Sequence, residues 1–438
     1  MKRIFYSSFL ALACLAATPA LAQFSVDGQL VQRGEYRHGF GRLIGEGEEA
    51  ALFIGQRARL NASYKMDKFS FYVSVQDVRT WGSAPQIKAT DPYLSVHEAW
   101  AETRLSETFS LKLGRQELNY DNARFLGNLD WALQGRAHDF ALAKWEKESM
   151  KLHLGAGYNQ DGERLSGTLF TIPNQYKAAQ FMRYENSLKG LTFSLLFWND
   201  GRQYTVTDPA GQITDKGIRY RQTLGVPTLK YQLKNTTLSG FYYQQFGKDV
   251  AGREIRAYDA SLQASQLFTL DEEKGSKLRL TAGVEWLSGT DNNGPQSVNR
   301  SFAPLYGTNH MHNGYMDQFF VGGRHENGLG LQDLFVRLRW DVNPKLFTSL
   351  NGHTFSAMGR VYNENVELSR GLGTELDLTL GYLISDAVSV QGGYSQIFAS
   401  DSFERLQGVA TPDRVQNWGY VMMIYRPTMK NRFIGLLF

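Results

Sequence analysis

Breaks in an otherwise regular apolar alternation divide the chain, and they come short and long in turn. The short ones are 66–67, 106–108, 147–149, 189–190, 234–236, 271–276, 342–344 and 385–387. The long ones are 39–49, 81–93, 121–135, 159–177, 200–216, 248–253, 289–327, 358–370 and 400–415. Eight short turns and nine long loops join eighteen segments, each with a period of two, which is the period of a strand. In 371–382, Thr374, Leu376, Leu378, Leu380 and Tyr382 leave one face, and Glu375, Asp377 and small residues leave the other. A sandwich has no reason to sort its loops by length. An even-stranded sheet closed on itself in an outer membrane does, because each class of connection falls on one rim. The expected fold is all-β: a single closed antiparallel transmembrane β-barrel of about 18 strands, with short periplasmic turns and long extracellular loops.

The amino terminus agrees with an exported protein. Lys2 and Arg3, an apolar run over 4–17 and Ala20-Leu21-Ala22 read as a cleaved signal peptide, residues 1–22. The only cysteine, Cys14, lies within it, so the mature chain has no disulfide framework and no thiolate metal site. Without Lys2 and Arg3, the 47 basic residues fall to 45 against 43 acidic ones, a balance that argues against nucleic acid as a partner. No linker or compositional shift divides 23–427, which reads as one barrel in the bacterial outer membrane with the lipid bilayer as its surroundings. Pro227 in the tenth strand cannot donate to a ladder and predicts a bulge there. Pro427 ends the last strand and leaves 428–438 as a tail without an assigned structure.

Strand parity sends one set of cations inward. Arg33, the pair Arg57 and Arg59, the pair Arg219 and Arg221, and the pair Arg337 and Arg339 all stand opposite the apolar face. A cation on the lipid face at the midplane would cost about 2–4 kcal/mol. Guanidinium forks suit carboxylates, and rows of them would make an anion-selective path. Their competing role is to brace the wall against Glu98, Glu102, Asp259, Glu285, Asp333, Glu375 and Asp377, of which Glu375 and Asp377 are placed with the lumen. Arg115 and Arg136 stand with Asp139 near the outer ends of strands five and six. A bulge at Gly114 would turn Arg115 inward; otherwise the group anchors the 121–135 loop. The 289–327 loop, with Phe302, Tyr306, His310 and Tyr315, is expected to fold into the mouth as a constriction. His310 and His312, with Asp317, give a weak metal-binding spacing, but a His-x-His pair without a third fixed ligand is usually chance, so no metal and no cofactor is assigned.

Several stretches carry a resemblance. They are Gly114-Arg115-Gln116-Glu117-Leu118 with Tyr120-Asp121, Gly127-Asn128-Leu129-Asp130-Trp131, and Gly135-Arg136 with Asp139-Phe140. Later come Ser288 to Asp291, Phe302 to His310, Gly314 to Asp317, Gly373 to Leu378 and Gly392 to Ser395. In this order they resemble the alginate export family of outer-membrane porins over about 93–427. The resemblance implies an 18-stranded barrel and an arginine-rich channel for an anionic saccharide such as alginate, by export or uptake, with room for a periplasmic partner. Asp121 follows Tyr120 directly where the family often places a glycine between them.

Two further functions compete with that channel. One is a general small-solute porin. The other is a lipid hydrolase built into the barrel wall, which needs a nucleophile, a base and an orienting group in mutual reach. The inner-face serines Ser70, Ser74, Ser239, Ser261 and Ser349 carry no elbow motif, and His97 and His353 are the strand histidines that could serve as base. No catalytic residue is assigned, and the chain is read as a non-enzyme.

Overall fold

Eighteen strands pair antiparallel in chain order in the computed structural model. They are β1 (Gln23–His38), β2 (Ala51–Lys65), β3 (Phe69–Thr80), β4 (Leu94–Arg104), β5 (Phe109–Gln116), β6 (His138–Lys147), β7 (Met150–Tyr158), β8 (Ala178–Leu188) and β9 (Leu191–Thr207). They continue as β10 (Ile213–Leu233), β11 (Thr236–Lys248), β12 (Glu254–Asp271), β13 (Ser276–Leu287), β14 (Leu331–Asn343), β15 (Leu346–Ser356), β16 (Gly371–Leu383), β17 (Val388–Ala399) and β18 (Gln416–Tyr425). β1 pairs with β18, from Leu30 opposite Tyr425 to His38 opposite Asn417, so the sheet closes on itself. Closure leaves no sheet edge, the condition for strands to cross lipid. The structure describes residues 23–88, 90–170, 172–293, 297–319, 328–427 and 433. The expected signal segment 1–22 and the tail beyond 427, Phe433 excepted, lie outside the described residues.

The outward parity is apolar and open. Leu376, Leu378 and Leu380 are each about half exposed, as are Leu334 and Val336 on β14. In a barrel this band meets hydrocarbon rather than water. The bulge at Pro227 is present: β10 slips register between Gly225 and Thr228 against both of its neighbours.

One connection differs from the sequence reading. Residues 200–216 are mostly strand, because β9 runs on to Thr207 and β10 begins at Ile213. Thr205-Val206-Thr207 and Ile213-Thr214 favour the pleated chain, and Asp208-Pro209-Ala210-Gly211 supplies the turn. Asp208 closes it by accepting from the Gln212 amide at 2.8 Å, with Gly211 at φ 79°.

The core lies inside the barrel. Trp198, Trp418, Tyr243, Phe355 and Met422 project from the wall and meet Leu118, Phe125, Trp131, Phe302, Tyr306, Tyr315 and Met316 from two loops that fold inward. A short α-helix, Asp401–Gln407, caps the rim beside β16; Ser400 Oγ accepts from the Phe403 amide at its start. Its Phe403 packs at 5.1 Å on Phe319.

Candidate functional site

Two connections fold inward against the wall: 117–137 between β5 and β6, and, between β13 and β14, the described residues 288–293, 297–319 and 328–330. They bind each other before they bind the wall. Leu126 and Tyr306 form a parallel bridge, the Gly127 amide donates to Tyr306 O at 2.9 Å, and the Thr308 amide donates to Ala123 O at 2.9 Å. Arg136 joins them by donating to the carbonyls of Gly127, Tyr306 and Gly307. It is half-buried among carbonyl oxygens, and desolvation pulls its pKa down to about 10, so it remains protonated at neutral pH. Three stacking contacts follow. The Arg33 guanidinium lies 4.2 Å over Trp131, Trp131 stacks at 4.3 Å on His310, and His310 stacks at 5.3 Å on Tyr315. Asp317 fixes the His310 ring through Nδ1 at 3.0 Å.

Four sets of contacts tie this unit to the wall. Gln245 on β11 pairs with the Ala303 backbone in both directions, at 2.8 and 2.9 Å, as a strand neighbour would. Tyr306 donates its hydroxyl to Asp200 on β9, which also binds Arg202 at 2.8 Å. Arg124 is fully buried between Asp259 on β12 (3.1 Å) and Glu285 on β13 (2.8 Å), and donates to Asn313 at 3.0 Å. Asn313 in turn donates to Glu285 at 2.8 Å, and the Met316 amide donates to Glu375 on β16 at 2.7 Å.

These ties decide what the expected site residues do. Arg33 binds Glu35 at 2.8 Å and donates to Trp131 O at 2.7 Å. Arg57 binds Asp130 at 2.9 Å and donates to Leu133 O at 3.2 Å, and Arg59 donates twice to Gln76. All three point inward but are buried beneath 117–137, where they hold the loop in place. Arg136 likewise joins two loops. Arg115 departs from the inward placement: it shares the parity of the exposed Leu113 and meets Asp139 at 3.1 Å, both side chains largely exposed. Gly114, at φ 120°, does not reverse that parity. Arg219 sits at the long-loop rim, 3.8 Å over Tyr204, and donates to Val250 O; Arg221 is buried on the inner face. Glu375 and Asp377 are inward and fully buried under the 288–330 loop, with His353 Nε2 at 3.8 Å from Asp377. Phe302, Tyr306, His310 and Tyr315 are buried within the narrowing itself.

Arg337 and Arg339 remain partly exposed on the inner face of β14, toward the short-turn rim. Arg337 lies 4.3 Å over Phe335, and Arg339 binds Asp341 at 2.7 Å. A third guanidinium joins them: Arg279 on β13 stands directly opposite Arg339 in register, and Thr281 stands opposite Arg337. Sequence reasoning passed over Arg279, although its parity between Leu278 and Leu280 marks it as inward. It also missed Arg124, which lies in a loop where no strand period gives a direction.

The family described as alginate export matches residues 22–417. Among curated proteins, none matches the chain. Solved structures align over nearly the whole chain. OccK1 (OpdK) of Pseudomonas aeruginosa gives a TM-score of 0.56 at 13% identity, covering 92% of this chain and 98% of its own. OccK11 (OpdR) of the same organism gives 0.54 at 13%, covering 92% and 95%. A variant of OccD1 (OprD) gives 0.55 at 14%, covering 93% and 97%. At such identities they attest the barrel fold.

Proposed function

The chain belongs to the alginate export family, and from that membership we propose that this outer-membrane channel passes an anionic poly- or oligosaccharide such as alginate, by export or uptake. One observation carries the reading: Arg279 faces Arg339 across the β13–β14 ladder with Arg337 beside them, and Arg339 also binds Asp341 at 2.7 Å. Like charges directly opposite destabilise a sheet. An anion passing the ledge relieves that repulsion, and a uronate chain presents carboxylates in series to forks that bind them in pairs of hydrogen bonds. Arg33, Arg57, Arg59 and Arg136 act one step away, by fixing the loops that set the width above the ledge. The protein is a passive conduit in this reading, with no catalytic step.

The test is charge removal on the ledge. Each guanidinium lowers the energy of an anion about 4 Å away by about 1 kcal/mol in a water-like medium, and by more where the wall excludes water. Arg279→Gln with Arg337→Gln keeps bulk and hydrogen bonding. The reversal potential in a salt gradient should shift toward cations, most strongly at low salt where screening is weak. An unchanged reversal potential would remove the ledge from the path. Liposome swelling with a uronate oligosaccharide and a neutral one of equal size separates a saccharide channel from a general porin, which would pass both alike.

A further inference from the structure

We propose that His97, Glu98 and Glu117 form a divalent-metal site that clips the 117–137 loop to the barrel wall. The site begins with a bulge. Across β3 and β4, Ser74 is opposite Glu98 while Val75 is opposite Val96, so His97 is an extra residue in the ladder. Adjacent residues of a regular strand point to opposite faces, and an extra residue re-aims one of them. His97 is accordingly buried on the inner side next to Glu98. Glu117, the first residue after β5, completes the set, and one donor atom from each residue lies within 4.8 Å of the others. An ion with bonds of about 2.0–2.2 Å in tetrahedral array draws its ligand atoms to about 3.3–3.6 Å from one another, so the set tightens as the ion enters.

The surroundings are built for such a use. His97 Nε2 is 2.9 Å from Glu117 Oε1, and Asn128 Nδ2 donates to the other Glu117 oxygen at 2.9 Å. Glu98 Oε1 accepts from the Glu117 amide at 3.0 Å and from Trp100 Nε1 at 3.2 Å. Ser74, fully buried, stands opposite Glu98 in the ladder. Arg59 stands beside the His97 ring across Gly135, with its guanidinium turned to Gln76. One imidazole and two carboxylates, which together balance a charge of two, suit a borderline ion such as Zn²⁺ better than the 6–8 oxygens sought by Ca²⁺. The loop residue Asn128, holding Glu117, carries the constraint from the wall into the narrowing.

The experiment uses the whole detergent-purified barrel, stripped with a chelator and titrated with Zn²⁺ against a chromophoric competitor. One Zn²⁺ per chain should bind, with affinity lost by about a hundredfold or more in His97→Ala and in Glu98→Gln. Asn128→Leu, which acts through Glu117, should cost about 10–100-fold. Heat-modifiable migration on gels reports whether each variant is folded, and the isosteric Glu98→Gln serves if His97→Ala is not. Zn²⁺ should also slow hydrogen exchange in 117–137 of the wild type and leave Glu98→Gln unaffected. Equal Zn²⁺ affinity in wild type and variants would overturn the site, and exchange indifferent to bound Zn²⁺ would overturn the clip.

Discussion

Arg124→Met tests whether the narrowing is latched by one buried charge. Arg124 and Asp259 are fully inaccessible and Glu285 nearly so, so removing the guanidinium leaves two carboxylates in the dry interior. Breaking a buried pair in this way costs about 3–5 kcal/mol, and one pairing lost here also releases Asn313. At about 1.4 kcal/mol per tenfold, the ratio of docked to undocked loop should fall by a factor of about a hundred to a few thousand. The barrel's backbone ladder is untouched, so heat-modifiable migration should persist. Hydrogen exchange at 123–133 and 304–317 should quicken, and single-channel records should flicker. The triple variant Arg124→Met, Asp259→Asn, Glu285→Gln should regain most of the protection, because a neutral replacement of a buried ion cluster is often no less stable than the original. If exchange in the single variant matches wild type, or the triple is as loose as the single, the loop is held by its other ties and the latch reasoning fails.

Further outcomes follow from the same geometry. Deleting 297–316 should raise single-channel conductance and shift tryptophan emission to the red as Trp131 loses His310; unchanged conductance would put the loop clear of the path. Burial, with Arg124 and Arg337 nearby, holds the pKa of His312 well below its usual value, so the docked loop keeps it neutral while the undocked loop takes a proton below about 6.5. Docking should therefore weaken as pH falls from 7.5 to 5, and His312→Gln should flatten the dependence; equal slopes in both proteins would refute this. A β-carbon at Gly114 would lie 2.3 Å from Ala99 O, at φ 120°, so Gly114→Val should cut the yield of assembled barrel. Wild-type yield would show that the backbone gives way there.

What the sequence made legible was direction, and what it hid was depth. Parity placed Arg33 and Arg337 on the same inner face, and both are there. One is sealed under Trp131 while the other looks into the lumen, and only the loop's path distinguishes them. That path depends on partners far apart in the chain, such as Gln245 with Ala303 and Arg57 with Asp130, which no local period announces. Arg115 had two directions open in the sequence: its spacing from Leu111 and Leu113 pointed outward, and the glycine beside it did not change that. Trp198 and Trp418, inward and apolar, blur the alternation on β9 and β18 because that half of the lumen is filled with rings. The extension of β9 and β10 past residue 200 was written in Val206 and Ile213, yet the polar residues around them read as loop.

The stack around Trp131 also bears on how the molecule is put together. β1 and β18 are the first and last strands of the barrel, and their nine paired positions close the sheet. Flanking that join, Trp418 donates to Glu35 at 3.1 Å, and Trp131 lies 5.7 Å from Trp418 and 5.1 Å from Tyr420. The two loops thus rest against the staves that meet there. The seam that seals the cylinder is therefore lined by the loops that fill it.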